Sequence, residues 1–214
     1  RSDITVKKYE AIDSYVRSIL KRKNLEYCPL APKYQLIRRL SFDLRGFPPS
    51  VSEVTKFIND KSNNAWSRLV DEYLESPHFG ERMAQNWFDL ARFADTSGYA
   101  ADRTRNVWPY RDWVIKSFNE NMPYDQFTVE QIAGDMLQGS SEQQKLATGF
   151  HRQAMQAKGN NPRKEEFRIK GIVDRINTTG RTWLGLTLEC AECHDHKYDP
   201  ISQKDYYSIF AIFN

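Results

Sequence analysis

The period of its apolar residues constrains this chain more than any other feature. They recur at the i, i+3, i+4, i+7 spacing of a helix face almost throughout, and no stretch alternates regularly enough to build a sheet. The pattern predicts an all-α fold, a compact multi-helix arrangement. With 214 residues, 40% of them hydrophobic and 13% aromatic, the chain has enough apolar surface for one sizeable core. Residues 1–214 are therefore expected to form a single helical domain, an excised or mature part of a larger protein.

Local signals punctuate the helices. A first helix is expected from about Ile4 to Lys23, with Ile12, Tyr15, Val16 and Ile19 on one face. In "PKYQLIRRLSFDLRGFPPS", Gly46 and the Pro48-Pro49 pair stop a short second helix. Ser50 and Glu53 have the spacing of a capping box, in which serine oxygen and glutamate carboxylate satisfy each other's backbone amides. They predict a helix over Val51 to Asn59. Another spans Ala65 to Leu74, ended by Ser76-Pro77, and "HFGERMAQNWFDLARFAD" then reads as a core helix. After a polar loop at 95–107, helices are expected at Pro109 to Asn119, Tyr124 to Leu137 and Ser141 to His151. A second loop occupies 153–163. The longest helix runs from Lys164 to about Glu189, leading into a cysteine-rich turn, and a last one covers Ser202 to Phe213.

Composition removes several classes of function. The 31 Lys and Arg against 28 Asp and Glu give a formal charge of +3, with the two signs interleaved, so no nucleic-acid partner is suggested. No apolar run approaches the roughly 18 residues of a membrane span. "RSDITVKKYEAIDSYV" lacks the apolar core of a signal peptide, so any targeting sequence is expected upstream. There is no glycine-rich phosphate loop and no nucleophile elbow.

Two of the three cysteines and two of the four histidines fall within "LECAECHDHKYDP". Cys190, Cys193 and His194 form the CxxCH pattern by which haem c is attached: two thiols three residues apart add across the vinyl groups, and the next imidazole becomes the proximal iron ligand. Tyr198-Asp199-Pro200 would offer a carbonyl to the second nitrogen of His194. The alternative is zinc, held by Cys190, Cys193 and one or both of His194 and His196, although adjacent Cys193 and His194 rarely reach one small ion together. Cys28, in the loop "EYCPLAP", is expected to be a free or half-buried thiol, with an intermolecular bridge as the alternative.

A distal iron ligand is harder to find, because no methionine follows His194. His78 and Met122 are the candidates, with Met83, Met136, His151 and Met155 behind them. Met83 and Met136 fall on apolar helix faces and are expected in the core. Arg111, Arg175 and Arg181 are candidates for pairing with haem propionates. Asp95, Thr96, Ser97 and Asp102 form an oxygen-rich set that either binds calcium or satisfies turn amides.

Four stretches together, "LIRRLSFDLRGFPPS", "SPHFGERMAQNWFDLARFADTSGY", "YRDWVIKSFNENMPYDQFTVEQIAGDML" and "RINTTGRTWLGLTLECAECHDHKYDPISQKDYYSIFAIFN", resemble the planctomycete-type cytochrome C domain of unknown function over nearly the whole chain. The matched positions run from His78, Asp89, Arg92 and Asp95 through Arg111, Asp112, Met122, Asp125, Gly134 and Asp135 to Asp174, Arg175 and Asn177, and then to Cys190, Cys193, His194, Asp195, His196, Lys197, Asp199 and Pro200. Met83 departs from the usual tryptophan. The resemblance implies a larger protein with neighbouring domains.

The residues and the resemblance together give an expected function. It is a covalent haem-binding, electron-transfer module of a periplasmic or cell-surface protein, working with neighbouring domains of the same polypeptide and an unidentified redox partner. A non-redox scaffold whose Cys-His cluster holds zinc or closes a local disulfide is the alternative. A haem enzyme with an open sixth position is the third.

Overall fold

A computed structural model describes residues 2–99, 102–156 and 164–214, with side chains from residue 11 onward. The helices are α1 (Ser2–Arg22), α2 (Lys33–Arg45), α3 (Val51–Asn59), α4 (Ala65–Leu74), α5 (Pro77–Ala91), α6 (Trp108–Asn119), α7 (Tyr124–Ala133), α8 (Glu142–Ala147), α9 (Lys164–Thr179) and α10 (Gln203–Phe213). The fold is all-α, as the periodicity predicts. The described residues contain no strand, and one isolated bridge, Thr96 with Thr104, closes the long polar loop. Residues 157–163 of the second expected loop lie outside the described residues.

The capping signals account for several boundaries. Ser50 accepts from the Glu53 amide while the Glu53 carboxylate accepts from the Ser50 amide at 2.6 Å, starting α3. Ser141 with Gln144 and Ser202 with Asp205 repeat the arrangement at α8 and α10. Gly46, left-handed at φ 83°, ends α2. Two expected helices stop early. The one starting at Tyr124 tightens into a 3-10 turn at Gly134–Met136, and the one starting after Ser141 does so at Thr148–Arg152. That first tightening turns Met136 outward, so it is 83% exposed and not in the core.

Three apolar clusters hold the helices together. α2, α3 and α4 pack around Ile37, Phe57, Leu69 and Tyr73. The central cluster joins α5 to α8 through Trp87, Tyr110, Trp113, Phe127 and Phe150. The third, formed by α9, α10 and the segment between them, contains Ile172, Ile176, Leu188, Ala191 and Tyr206. Trp183 links the last two: it lies against Phe150 and Trp87, at 4.7 and 5.6 Å between ring centroids, and its Nε1 donates to Thr128 Oγ1 at 3.0 Å. Buried among the central rings, Trp87 Nε1 donates to Gln131 Oε1 at 2.9 Å and to Tyr110 Oη at 3.1 Å, and Tyr110 Oη donates to Gln131 Oε1 at 2.7 Å. These bonds offset the cost of burying three polar groups.

α1 stands apart. Its residues Ile12 and Tyr15, expected to share an inward face, are more than half exposed, and among the described residues the helix makes no substantial contact with another element.

Candidate functional site

The helix expected to reach Glu189 is interrupted. α9 ends at Thr179 and widens into a π-helical turn over Gly180–Leu184, and Gly185, left-handed at φ 65°, stops it. The Leu186 amide folds back onto the Gly180 carbonyl at 3.2 Å. Gly180 is needed there because a Cβ would lie 2.6 Å from Leu188 Cδ1. This close approach brings Leu188 under the π turn and starts a 3-10 turn over Leu188–Glu192, with Cys193 closing it.

That turn orders the cysteines. At three residues per turn, positions three apart eclipse one another. Leu188 and Ala191 therefore point into the third cluster, while Cys190 and Cys193 share the outer edge, both exposed and both free thiols. Cys28 is likewise free and exposed. Arg181 of the π turn pairs with Glu189, which places a guanidinium beside the residue preceding the first cysteine.

The two histidines of the run have different surroundings. His194 is exposed, and its Nδ1 lies 2.7 Å from the carbonyl of Asp195. A carbonyl only accepts, so Nδ1 carries the proton and the Nε2 lone pair is free. The carbonyl comes from the adjacent residue instead of from Tyr198-Asp199-Pro200, because the chain turns sharply there. His196, whose side chain is 5% exposed, faces the other way. Its Nδ1 accepts from the amides of Asp199 at 2.8 Å and Tyr198 at 3.3 Å. The Asp195 carboxylate accepts from the Gln203 amide at 2.8 Å, joining the run to the start of α10. Tyr207 Oη and Gln203 Nε2 both donate to the carbonyl of Glu192. "HDHKYDPI" is thus the scaffold of the turn, with His196 as its internal cap.

The other candidates are engaged elsewhere. His78 Nδ1 lies 2.7 Å from Glu81 Oε2, and its ring meets the Phe47 ring edge-on at 5.0 Å, by α2 and α5. Met122 packs against the central cluster. Arg175 donates to the carbonyls of His151 and Phe213, and Arg111 pairs with neighbouring Asp112. The oxygen-rich loop satisfies its own amides: Asp102 accepts from Gly98, and Ser97 Oγ accepts from Arg103. Among the described residues, no three His, Cys, Asp or Glu side chains converge to hold a metal ion.

A family model described as PSCyt2, protein of unknown function (DUF1549), matches residues 11–214. The chain belongs to the PSCyt2 family. This is a planctomycete cytochrome C-related family, and the match extends from the middle of α1 through all the clusters to α10. No curated protein and no solved structure matches the chain. No helix of this PSCyt2 chain, among the described residues, is long and apolar enough to cross a membrane.

Two features of the fold outside the cysteine turn left no legible signal in the sequence. One is the pairing of Arg92 with Asp174, which ties the end of α5 to α9. The other is Arg105, whose guanidinium donates to the carbonyls of Ala94, Arg152, Gln153 and Ala154. The "ADTSGY" stretch hints at a built loop, but backbone acceptors leave no mark on the sequence.

Proposed function

We propose that this PSCyt2 chain is a c-type haem module that transfers electrons within a larger extracytoplasmic protein, with thioether bonds at Cys190 and Cys193 and His194 as proximal ligand. One observation carries the reading: both thiols share the exposed edge of a rigid turn, and the imidazole that follows has its Nδ1 proton bound to a carbonyl, leaving Nε2 free for iron. The residues present fit the group. Leu184, Tyr198 and Tyr207 add partly exposed apolar surface around the turn, and Arg181 is the nearest of the candidate propionate partners by its link to Glu189. Haem, when bound, supplies one-electron redox chemistry whose potential depends on axial ligands and exposure. This chain's own contribution is to hold the thiols side by side, fix the imidazole tautomer and anchor the turn to α10.

His78 and Met122 have partners elsewhere, so any second protein ligand to a bound haem would come from outside these two residues. The extracytoplasmic location follows from the chemistry of attachment, which takes place outside the bacterial cytoplasm.

The test is production in a bacterial host that has a cytochrome maturation system. The protein should show a Soret band and a mass increased by one haem, both surviving denaturation. Replacing Cys190 and Cys193 together with alanine should abolish the covalent increase, and His194→Ala should shift the Soret band. Colourless protein of unmodified mass would overturn the reading and favour a thiol or zinc role for the cluster. Replacing His78 or Met122 should leave the spectrum unchanged.

A further inference from the structure

A cavity of about 270 Å³ opens where α6, α7 and the start of α8 meet, with Trp113 and Met122 on its apolar side and Lys116, Glu120 and Gln126 in its polar lining. Glu130 lines it too and is only 4% exposed. A carboxylate withdrawn this far from water is normally matched by a cation. Among the described residues no Lys, Arg or His pairs with it. Lys116, the cation in the lining, is exposed and turned to Glu120 at 3.8 Å, and Lys145 of α8 pairs with Glu142 at 3.3 Å. Both partners of Glu130 are neutral amides, and both use the same oxygen: Gln126 Nε2 donates to Oε1 at 2.9 Å and Gln144 Nε2 at 3.3 Å. Oε2 accepts no bond and is not sealed from water, so it is the oxygen that opens on the cavity.

The walls hold that carboxylate in place. Ser141 donates its amide to Gln144 Oε1 at 2.9 Å in the capping box that starts α8, which orients the Gln144 amide so that its N–H faces Glu130. Gly134 lets α8 close on the end of α7, since a Cβ there would lie 2.2 Å from the Gln144 carbonyl oxygen. Trp113 stacks on Phe127 at 5.4 Å between ring centroids. Gln126 is exposed, and while its Nε2 is committed to Glu130, its Oε1 has no partner. Calcium takes roughly six to eight oxygen ligands, whereas among the described residues no three His, Cys, Asp or Glu side chains converge here. The open polar atoms suit a cation that brings its own hydrogens.

We infer that this cavity binds a primary ammonium ion on a short alkyl chain, its N–H groups donating to Glu130 Oε2 and Gln126 Oε1 and its stem lying against Trp113 and Met122. An ammonium carries three donors and no acceptor, which matches two open acceptors. Its charge supplies the partner that the buried carboxylate lacks. The volume, just under the roughly 300–1,000 Å³ of small-molecule sites, limits the ligand to a chain of a few carbons. A free amine and the lysine side chain of another protein offer this same chemistry. The inference does not depend on haem attachment, because the cavity lies outside the cysteine turn.

The test is amide NMR of the uniformly ¹⁵N-labelled chain at fixed pH and ionic strength, titrated in separate arms with n-butylammonium, tetramethylammonium, 1-butanol and Nα-acetyl-lysine methylamide. Butylammonium should give saturable shifts at the Gln126 and Gln144 side-chain amides. Its Kd should lie about tenfold or more below those of tetramethylammonium, which has no N–H, and of butanol, which has no charge. Glu130→Gln keeps the shape and should weaken butylammonium by about tenfold or more, the effect of losing one charge-assisted bond. Should that variant unfold, the tetramethylammonium and butanol arms decide alone. Lys116→Gln removes a competing cation and should leave binding as tight or tighter. Binding of the lysine derivative at least as tight as that of butylammonium identifies a lysine side chain as the ligand, and weaker binding a free amine. Failure of both primary ammonium probes to saturate would overturn the proposal. So would equal affinity for tetramethylammonium or butanol, insensitivity to Glu130→Gln in the folded variant, or loss of binding in Lys116→Gln.

Discussion

Gln131 has no exposed surface, and its Oε1 is the common acceptor for Trp87 and Tyr110. Replacing it with leucine would keep the volume, leave the Trp87 N–H only the Tyr110 oxygen and leave the Tyr110 O–H without an acceptor. The expected cost is about 1–3 kcal/mol, read as a lower urea midpoint, because the buried O–H left unsatisfied has lost water without gaining a partner. Chemistry-bearing letters at this scale were partly visible beforehand. Cys190, Cys193 and His194 stand out by spacing alone, but which of them face solvent depends on the 3-10 geometry, which spacing does not reveal. His194 and His196 differ only in which backbone group each ring nitrogen meets. Arg105 escaped notice for a related reason: carbonyl partners belong to every residue and so leave no complementary side chain to find.

The helices whose ends carry a chemical signal were legible almost to the residue. α3 and α4 begin and end where the Ser50–Glu53 box and the Ser76-Pro77 pair predict. α9 was not, since a single π turn of five residues is too short to disturb the apolar period visibly. Its break depends on Gly180 being squeezed against Leu188, a tertiary contact. α1 shows the opposite failure, a clear periodicity with nothing described to pack against. Removing residues 1–22 should therefore change the unfolding free energy of the rest by less than about 0.5 kcal/mol, the range of surface changes, when compared by urea denaturation. A larger loss would mean that α1 docks on the remaining helices.

Across the whole molecule, His151 sits at the seam between the central and C-terminal clusters. Its ring faces Phe150 and Phe213, Nε2 donates to the Ile132 carbonyl at 3.3 Å, and Nδ1 has no partner. Burial, reinforced by the cations Arg175 and Arg92, pushes its pKa down from 6.5 to about 4. The unfolded chain then takes up the proton first as pH falls. Stability from the neutral ring is complete above about pH 6.5 and is lost progressively towards pH 4, by up to roughly 3 kcal/mol. Urea midpoints at pH 7.5 and 4.5 should differ accordingly, and His151→Phe should shrink that difference. The fastenings elsewhere behave otherwise. Arg105 grips four carbonyls and Arg175 two more, and a guanidinium keeps its proton at any working pH. Staples of this kind are indifferent to chelators and reducing agents alike, so the scaffold would outlast the stripping of any guest, and an attachment apparatus would meet an already assembled dock.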